Sequence, residues 1–301
     1  MQESNRHNIA MNFQNIQSEL REKGYYVVPN VLSENEVQQA LGMFNEWEAQ
    51  PGISNLNHHD IGPHGIYKFH EVGHQRHAWY IRTRPNVQRV FKELWNTESL
   101  ISSFDGTCHM RPHDRRKNNI WTHTDQAPNA KGFMCYQAFV SLTSNKERTF
   151  VAYEGTHEYH RKYFEEKGIE SNDNWQLIDH ETIARISDKK RVLDVEAGSL
   201  VLWDSRTFHQ NQYSNGDISN EERIVQYVCF LPSNHPKNTD AMHKKRLKYF
   251  QERRTTSHWP APIKVIGLQP RTFGDDSRLI NYDQLIKPNL DDMMSDITKL
   301  L

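Results

Sequence analysis

From Leu100 to Leu231 the sequence falls into a series of short β-prone runs. They are Leu100–Met110, Ile120–Thr124, Phe133–Leu142, Thr149–Tyr153, Val192–Val195, Ser199–Trp203, Thr207–Asn211 and Ile224–Leu231. Runs this short, rich in β-branched and aromatic residues and parted by turn residues, bury their apolar faces only against other strands. They therefore predict a sandwich or barrel. One helical insert interrupts them, from His157 to Lys167, with Tyr159, Tyr163 and Phe164 on its apolar face and Gly168 as its stop.

The flanks read differently. Phe13, Ile16 and Leu20 predict a helix over 13–23, stopped by Gly24, before a short strand at Tyr25–Val28 that Pro29 ends. Ser33 and Glu36 have capping-box spacing, and Val37, Leu41, Phe44 and Trp47 carry the following helix to about Ala49. Pro85–Trp95 predicts another helix. Between them, Ile53–Tyr80 shows no period but holds His58, His59, His64, His70, His74 and His77. Their spacing is irregular, so this stretch is read as a long surface loop bordering a site rather than a second metal centre. After Pro232 a basic segment at 240–254 is read as a helix with a solvated face, and Leu285–Leu301 as a terminal helix. The expected organisation is one catalytic domain over 1–301. Its parts are a helical and loop segment at 1–98, the strand core at 99–232 with its insert, and an extension at 233–301.

Composition narrows the class. Lys+Arg number 37 and Asp+Glu 38, a formal charge of −1, so no global field favours nucleic acid or a membrane surface. No apolar run reaches membrane-span length, and Met1–Asn12 lacks the apolar core of a signal peptide. Cys108, Cys135 and Cys229 lie far apart in apolar runs, without disulfide or metal spacing. They read as reduced core residues of a cytoplasmic protein. Nothing in the sequence sets an oligomeric state.

Chemistry concentrates in Ile120-Trp121-Thr122-His123-Thr124-Asp125. Side chains two apart on a strand share a face, so His123 and Asp125 point the same way. A third ligand lies at His209, at the end of Gly198–His209. Two imidazoles and one carboxylate on one face of a metal leave open positions, the arrangement of non-heme Fe(II) oxygenases. Arg223 opens the last run, and its planar fork suits the far carboxylate of a dicarboxylic acid. An ion pair with Glu221 or Glu222 is its ordinary alternative. Trp121 and Trp203 are read as core residues first and pocket walls second.

These motifs resemble the phytanoyl-CoA dioxygenase family of Fe(II)/2-oxoglutarate oxygenases. Gly24–Ser33 is similar to the family's opening segment, Trp121–Asp125 to its metal motif, Gly198–His209 to the segment of its distal histidine, and Arg223 to its 2-oxoglutarate arginine. Tyr153-Glu154-Gly155-Thr156-His157 stands where the family has a Pro-Gly-Ser-His turn; the proline is absent. The resemblance covers most of the chain to Pro232. It implies a mainly β fold with flanking helices and a double-stranded β-helix (jelly-roll) core. It also implies Fe(II) on His123, Asp125 and His209, 2-oxoglutarate on Arg223, and O2-dependent hydroxylation or other oxidation of a small organic molecule, releasing succinate and CO2. Because Asp125 is present, the resemblance implies no halogenation. The rival readings are a jelly-roll or cupin-like metal-binding module and a metal enzyme without 2-oxoglutarate. For the primary substrate there is only a basic loop, Arg111, His113, Arg115 and Arg116, which suits a polar or anionic molecule.

Overall fold

The structure, a computed structural model, describes residues 13–53, 63–114, 118–214 and 218–301. In chain order the N-terminal elements are α1 (Phe13–Lys23), β1 (Tyr25–Val28), α2 (Glu34–Glu48), β2 (Ile66–Tyr67), α3 (Arg76–Arg82) and α4 (Pro85–Trp95). The core follows with β3 (Leu100–Ser102), β4 (Thr107–Met110), β5 (His123–Thr124), β6 (Tyr136–Ser141), β7 (Phe150–Tyr153), α5 (Thr156–Lys167), β8 (Gln176–Leu177) and α6 (His180–Arg185). Then come β9 (Lys190–Val192), β10 (Leu200–Asp204), β11 (His209–Asn211), β12 (Arg223–Val228), β13 (Phe230–Pro232), α7 (Asp240–Gln251) and α8 (Met294–Thr298).

The strands form a larger sheet in the order β1-β10-β6-β12-β4-β2, a smaller one in the order β8-β5-β11-β7-β9, and a β13-β3 pair. Non-consecutive neighbours and antiparallel pairing throughout give the double-stranded β-helix. The larger sheet is buried on both faces. Leu200 and Leu202 of β10, Ala138 and Val140 of β6, and Ile224 and Val228 of β12 join the cluster of helical residues Ile16, Leu20, Val37, Phe44, Trp79 and Val90. The alternate residues Val201, Trp203, Phe139 and Val225 turn inward, toward Phe150 and Ala152 of β7 in the smaller sheet. Two-sided burial explains why these strands read as continuous apolar runs rather than alternating ones.

Local chemistry sets the ends. The Ser33–Glu36 capping box is complete, with Ser33 Oγ accepting from Glu36 N–H and the Glu36 carboxylate accepting from Ser33 N–H. The expected strand Leu100–Met110 is split by Asp105-Gly106, where a Cβ on Gly106 would collide with the Tyr67 carbonyl. Helix α5 is preceded by Gly155 at its N-cap, whose φ of 75° favours glycine.

Two expectations are corrected. Residues 64–82 are not a surface loop: they hold β2 and α3, and His70, His74, His77, Trp79 and Ile81 are buried. The apolar stretch Ala78–Ile81 packs under the larger sheet, and burial drives His74 and His77 down to about 3, so they sit neutral in the core. His58 and His59 lie outside the described residues. The basic segment forms α7 with Lys244 and Lys248 exposed, the solvated face expected of it, while its other side packs inward. Arg246 of α7 is fully buried and donates to Pro260 O, Asn238 Oδ1 and Leu301 O. Ile263, Met293, Ile297 and Leu300 join the same apolar cluster as α1 and α2. The terminal helix is short, α8, preceded by isolated 3-10 turns.

Candidate active site

His123 and His209 face each other as antiparallel register partners on β5 and β11. Asp125 follows two residues after His123 and reaches the same side, with His209 Nε2 3.2 Å from Asp125 Oδ2 and His123 Nε2 3.8 Å from Asp125 Oδ1. The ligand-capable atoms of the three side chains lie within 4.8 Å of one another, the one such convergence of His, Cys, Asp and Glu among the described residues.

The backbone decides which nitrogens point inward. His123 Nδ1 lies 3.1 Å from Trp121 O, and His209 Nδ1 lies 2.9 Å from Thr207 O. A carbonyl accepts only, so each Nδ1 carries the proton and each Nε2 turns a lone pair to the centre. Side chains hold the strands in place. Gln210 Oε1 accepts from Thr122 Oγ1 at 2.6 Å, Ser205 O accepts from Asp125 N and Thr124 Oγ1, and Thr156 Oγ1 accepts from Phe208 N–H.

Burial and mutual proximity set the electrostatics. Desolvation, reinforced by His209, drives His123 down to about 3, keeping it neutral and able to ligate. Burial pushes the Asp125 carboxyl up, but His258, His123 and His209 outweigh it and hold it below the usual carboxylate range.

A cavity of about 530 Å³ opens over this centre. Both Trp121 and Trp203 line it, so the expectation of core packing is too narrow; Trp203 does both, at 3% exposure. From the His-rich stretch come His64, stacked on Trp121 with centroids 3.6 Å apart, and Lys68. Burial lowers the Lys68 pKa, opposed by the charge of Asp125. From the tail come Thr256, Ser257, His258 and Ile266. Sequence reasoning missed Lys68, Asp105 and the tail residues, because they stand on irregular segments with no motif around them.

Arg223 is 1% exposed and inward-facing. Both ordinary partners are engaged elsewhere: Glu221 accepts the backbone N–H groups of Lys146, Glu147 and Arg148, and Glu222 contacts His109. The guanidinium donates to Cys108 Sγ at 3.2 Å, lies 5.0 Å from the Phe139 ring, and leaves Nη2 without a partner. It does not line the cavity itself; Tyr227, whose hydroxyl its charge acts on, does. Arg206, the other nearby cation, is committed to Asp204 through two hydrogen bonds. Arg111 Nη2 donates to Glu48 and Tyr67; Arg115 and Arg116 lie outside the described residues. The three cysteines are free and buried. No helix among the described residues is long and apolar enough to cross a membrane.

No family model matches the chain. In sequence it is 27% identical over 241 residues to "Ava biosynthesis cluster protein O" of Aspergillus versicolor, covering 71% of this chain and 76% of that protein. It is 23% identical over 205 residues to "Putative phytanoyl-CoA dioxygenase" of Dictyostelium discoideum, covering 54% of this chain and 56% of that one. The chain resembles the phytanoyl-CoA dioxygenase family. Among solved structures, the epimerase SnoN, in complex with Fe3+, alpha ketoglutarate and nogalamycin RO, superposes with a TM-score of 0.53 at 14% identity, over 73% of this chain and 84% of that one. The non-heme alpha ketoglutarate dependent carbocyclase SnoK gives 0.52 at 17% identity, over 77% and 90%. At these identities the likeness is one of fold, the double-stranded β-helix of 2-oxoglutarate oxygenases.

Proposed function

We propose that this chain is an Fe(II)- and 2-oxoglutarate-dependent dioxygenase that oxidises a small organic molecule, in one catalytic domain. The observation that carries it is the buried convergence of His123, Asp125 and His209 beneath a cavity, each imidazole fixed with Nε2 inward. That donor set, two neutral nitrogens and one carboxylate on one side, fits Fe(II) and leaves room for small-molecule ligands. The orphaned Nη2 of Arg223 fits the remaining requirement: a buried guanidinium without a counter-ion is costly until an anion meets it. When bound, iron and 2-oxoglutarate supply the oxidising chemistry, consuming O2 and releasing succinate and CO2.

The chain's own residues bind, orient and exclude water. His123, His209 and Asp125 hold the metal, and the Trp121 and Thr207 carbonyls keep the rings from turning. Arg223 takes the far carboxylate of 2-oxoglutarate. Trp121, Trp203 and Phe150 pack around the histidines, keeping water from the centre. With Asp125 present, the carboxylate would hold the metal where a halide would otherwise be needed, so the product would gain oxygen or lose hydrogen and not be halogenated. The rival metal enzyme without 2-oxoglutarate leaves the unpaired Arg223 without a purpose.

Anaerobic mixing of the protein with Fe(II) and 2-oxoglutarate should give a weak visible charge-transfer band, and His209→Ala should lose it. A folded, iron-loaded wild type with no band sinks the assignment.

A further inference from the structure

The cavity has a polar corner that neither the converging ligands nor Arg223 uses. Asp105 stands in the break between β3 and β4, 4% exposed, among the residues that line the cavity; its Oδ1 is enclosed and has no hydrogen-bond partner. Burial pushes the Asp105 carboxyl up, opposed by His258. Arg82 spends its two Nη groups on the carbonyls of Gly73 and of Asp105 itself, at 2.6 and 2.8 Å. His258 approaches from the tail, close enough to act electrostatically on both Asp105 and Asp125; its enclosed Nε2 is likewise unpartnered. The approach is built rather than incidental. Thr256 N donates to Phe104 O and Phe104 N donates to Thr256 Oγ1, both at 2.9 Å, which seats the tail against the residue preceding Asp105.

An enclosed acceptor and an enclosed ring nitrogen, both unsatisfied, are costly in a wall that mixes the apolar side chains of Trp175, Ile66, Ile266 and Phe150 with polar ones such as Lys68, Gln137 and Asn211. One ligand group satisfies both: a hydroxyl gives its proton to a carboxylate and takes one from a ring N–H.

We propose that Asp105 and His258 are the specificity pair for the primary substrate, which carries a hydroxyl on a bulky, largely apolar body; the hydroxyl donates to Asp105 Oδ1 and accepts from His258 Nε2–H. This rests on the cavity being the oxygenase active site. It makes the tail, outside the family resemblance, the element that reads the substrate.

The test uses matched pairs, phenol and anisole, 2-naphthol and 2-methoxynaphthalene, 4-phenylphenol and 4-methoxybiphenyl, in equilibrium dialysis against the full chain. Dialysis is run metal-free and with Fe(II) and 2-oxoglutarate anaerobically. The wild type should bind at least one hydroxyl compound about tenfold tighter than its ether, the scale of one buried hydrogen bond left unmade. Asp105→Asn, Asp105→Ala and His258→Phe should shrink that preference to less than about threefold while keeping the charge-transfer band. No hydroxyl preference in the wild type, or a preference untouched by folded His258→Phe and Asp105→Asn, overturns the proposal. Preference without any charge-transfer band keeps the pair and removes the oxygenase reading; the band without preference removes the pair alone.

Discussion

Arg223 shows how one buried residue constrains chemistry. Its charge is enclosed, its ordinary carboxylate partners are engaged elsewhere, and one Nη has nothing to donate to. Arg223→Lys keeps the charge but loses the planar fork. The expected outcome is an apparent 2-oxoglutarate KM raised about five- to 150-fold, equivalent to about 1–3 kcal/mol, the scale of a charge-assisted hydrogen bond. Steady-state kinetics over 2-oxoglutarate concentration check it; an unchanged KM would return Arg223 to a packing role on Cys108 and Phe139. Arg206→Lys should leave KM unchanged, since Arg206 is committed to Asp204.

At the scale of elements, the ligands depend on short strands pinned by side chains. Thr156, at the start of α5, accepts from Phe208 N–H and donates to Tyr153 O, joining helix, β7 and the residue before His209. Thr156→Val removes both links at constant shape and leaves a buried N–H unpaired. The expected loss is about 1–3 kcal/mol of stability together with weaker iron binding. Denaturant titration and iron dialysis measure the two. The metal motif was legible because a strand's period of two places His123 and Asp125 on one side, whatever the surroundings. A strand-built sandwich or barrel was legible from runs such as Leu200–Trp203, whose two-sided burial leaves an unbroken apolar mark; the jelly roll itself came from the family resemblance. Lys68, Asp105 and His258 were not, since they stand outside regular strands and helices, and only the folded chain brings them together. The His-rich stretch was misjudged because a buried neutral histidine and an exposed one look alike in sequence. His77 inside α3, with Phe44 and Trp47 against its ring, is decided by packing alone.

Across the whole molecule, those same histidines set the acid limit. His74 and His77 are driven down to about 3 by burial, while the unfolded chain protonates them near 6.5. The unfolded state therefore binds more protons between those values. Stability is fully present above about pH 6.5 and falls as pH drops toward 3, by up to about 1.4 kcal/mol per pH unit for each histidine. Urea midpoints at pH 7, 6 and 5 should fall accordingly, and His77→Phe should flatten the slope. An unchanged slope would mean that His77 is protonated in the native core.

The single register pair His209↔His123 has a mechanical meaning. Strands β6, β10 and β12 are stitched over five or four register positions, whereas β5 and β11 meet at one. That seam has little of its own to resist opening, and it is where a metal would bridge chain positions far apart in sequence. A bridging ion stabilises only the closed form, by RT ln(1 + [L]/Kd), about 2.7 kcal/mol at a hundredfold excess over Kd. Loading iron should therefore slow amide hydrogen exchange at residues 121–126 and 207–211 far more than across β6, β10 and β12. Equal slowing everywhere would show that opening is global. The ion that makes the site reactive would then also be what keeps the smaller sheet from breathing.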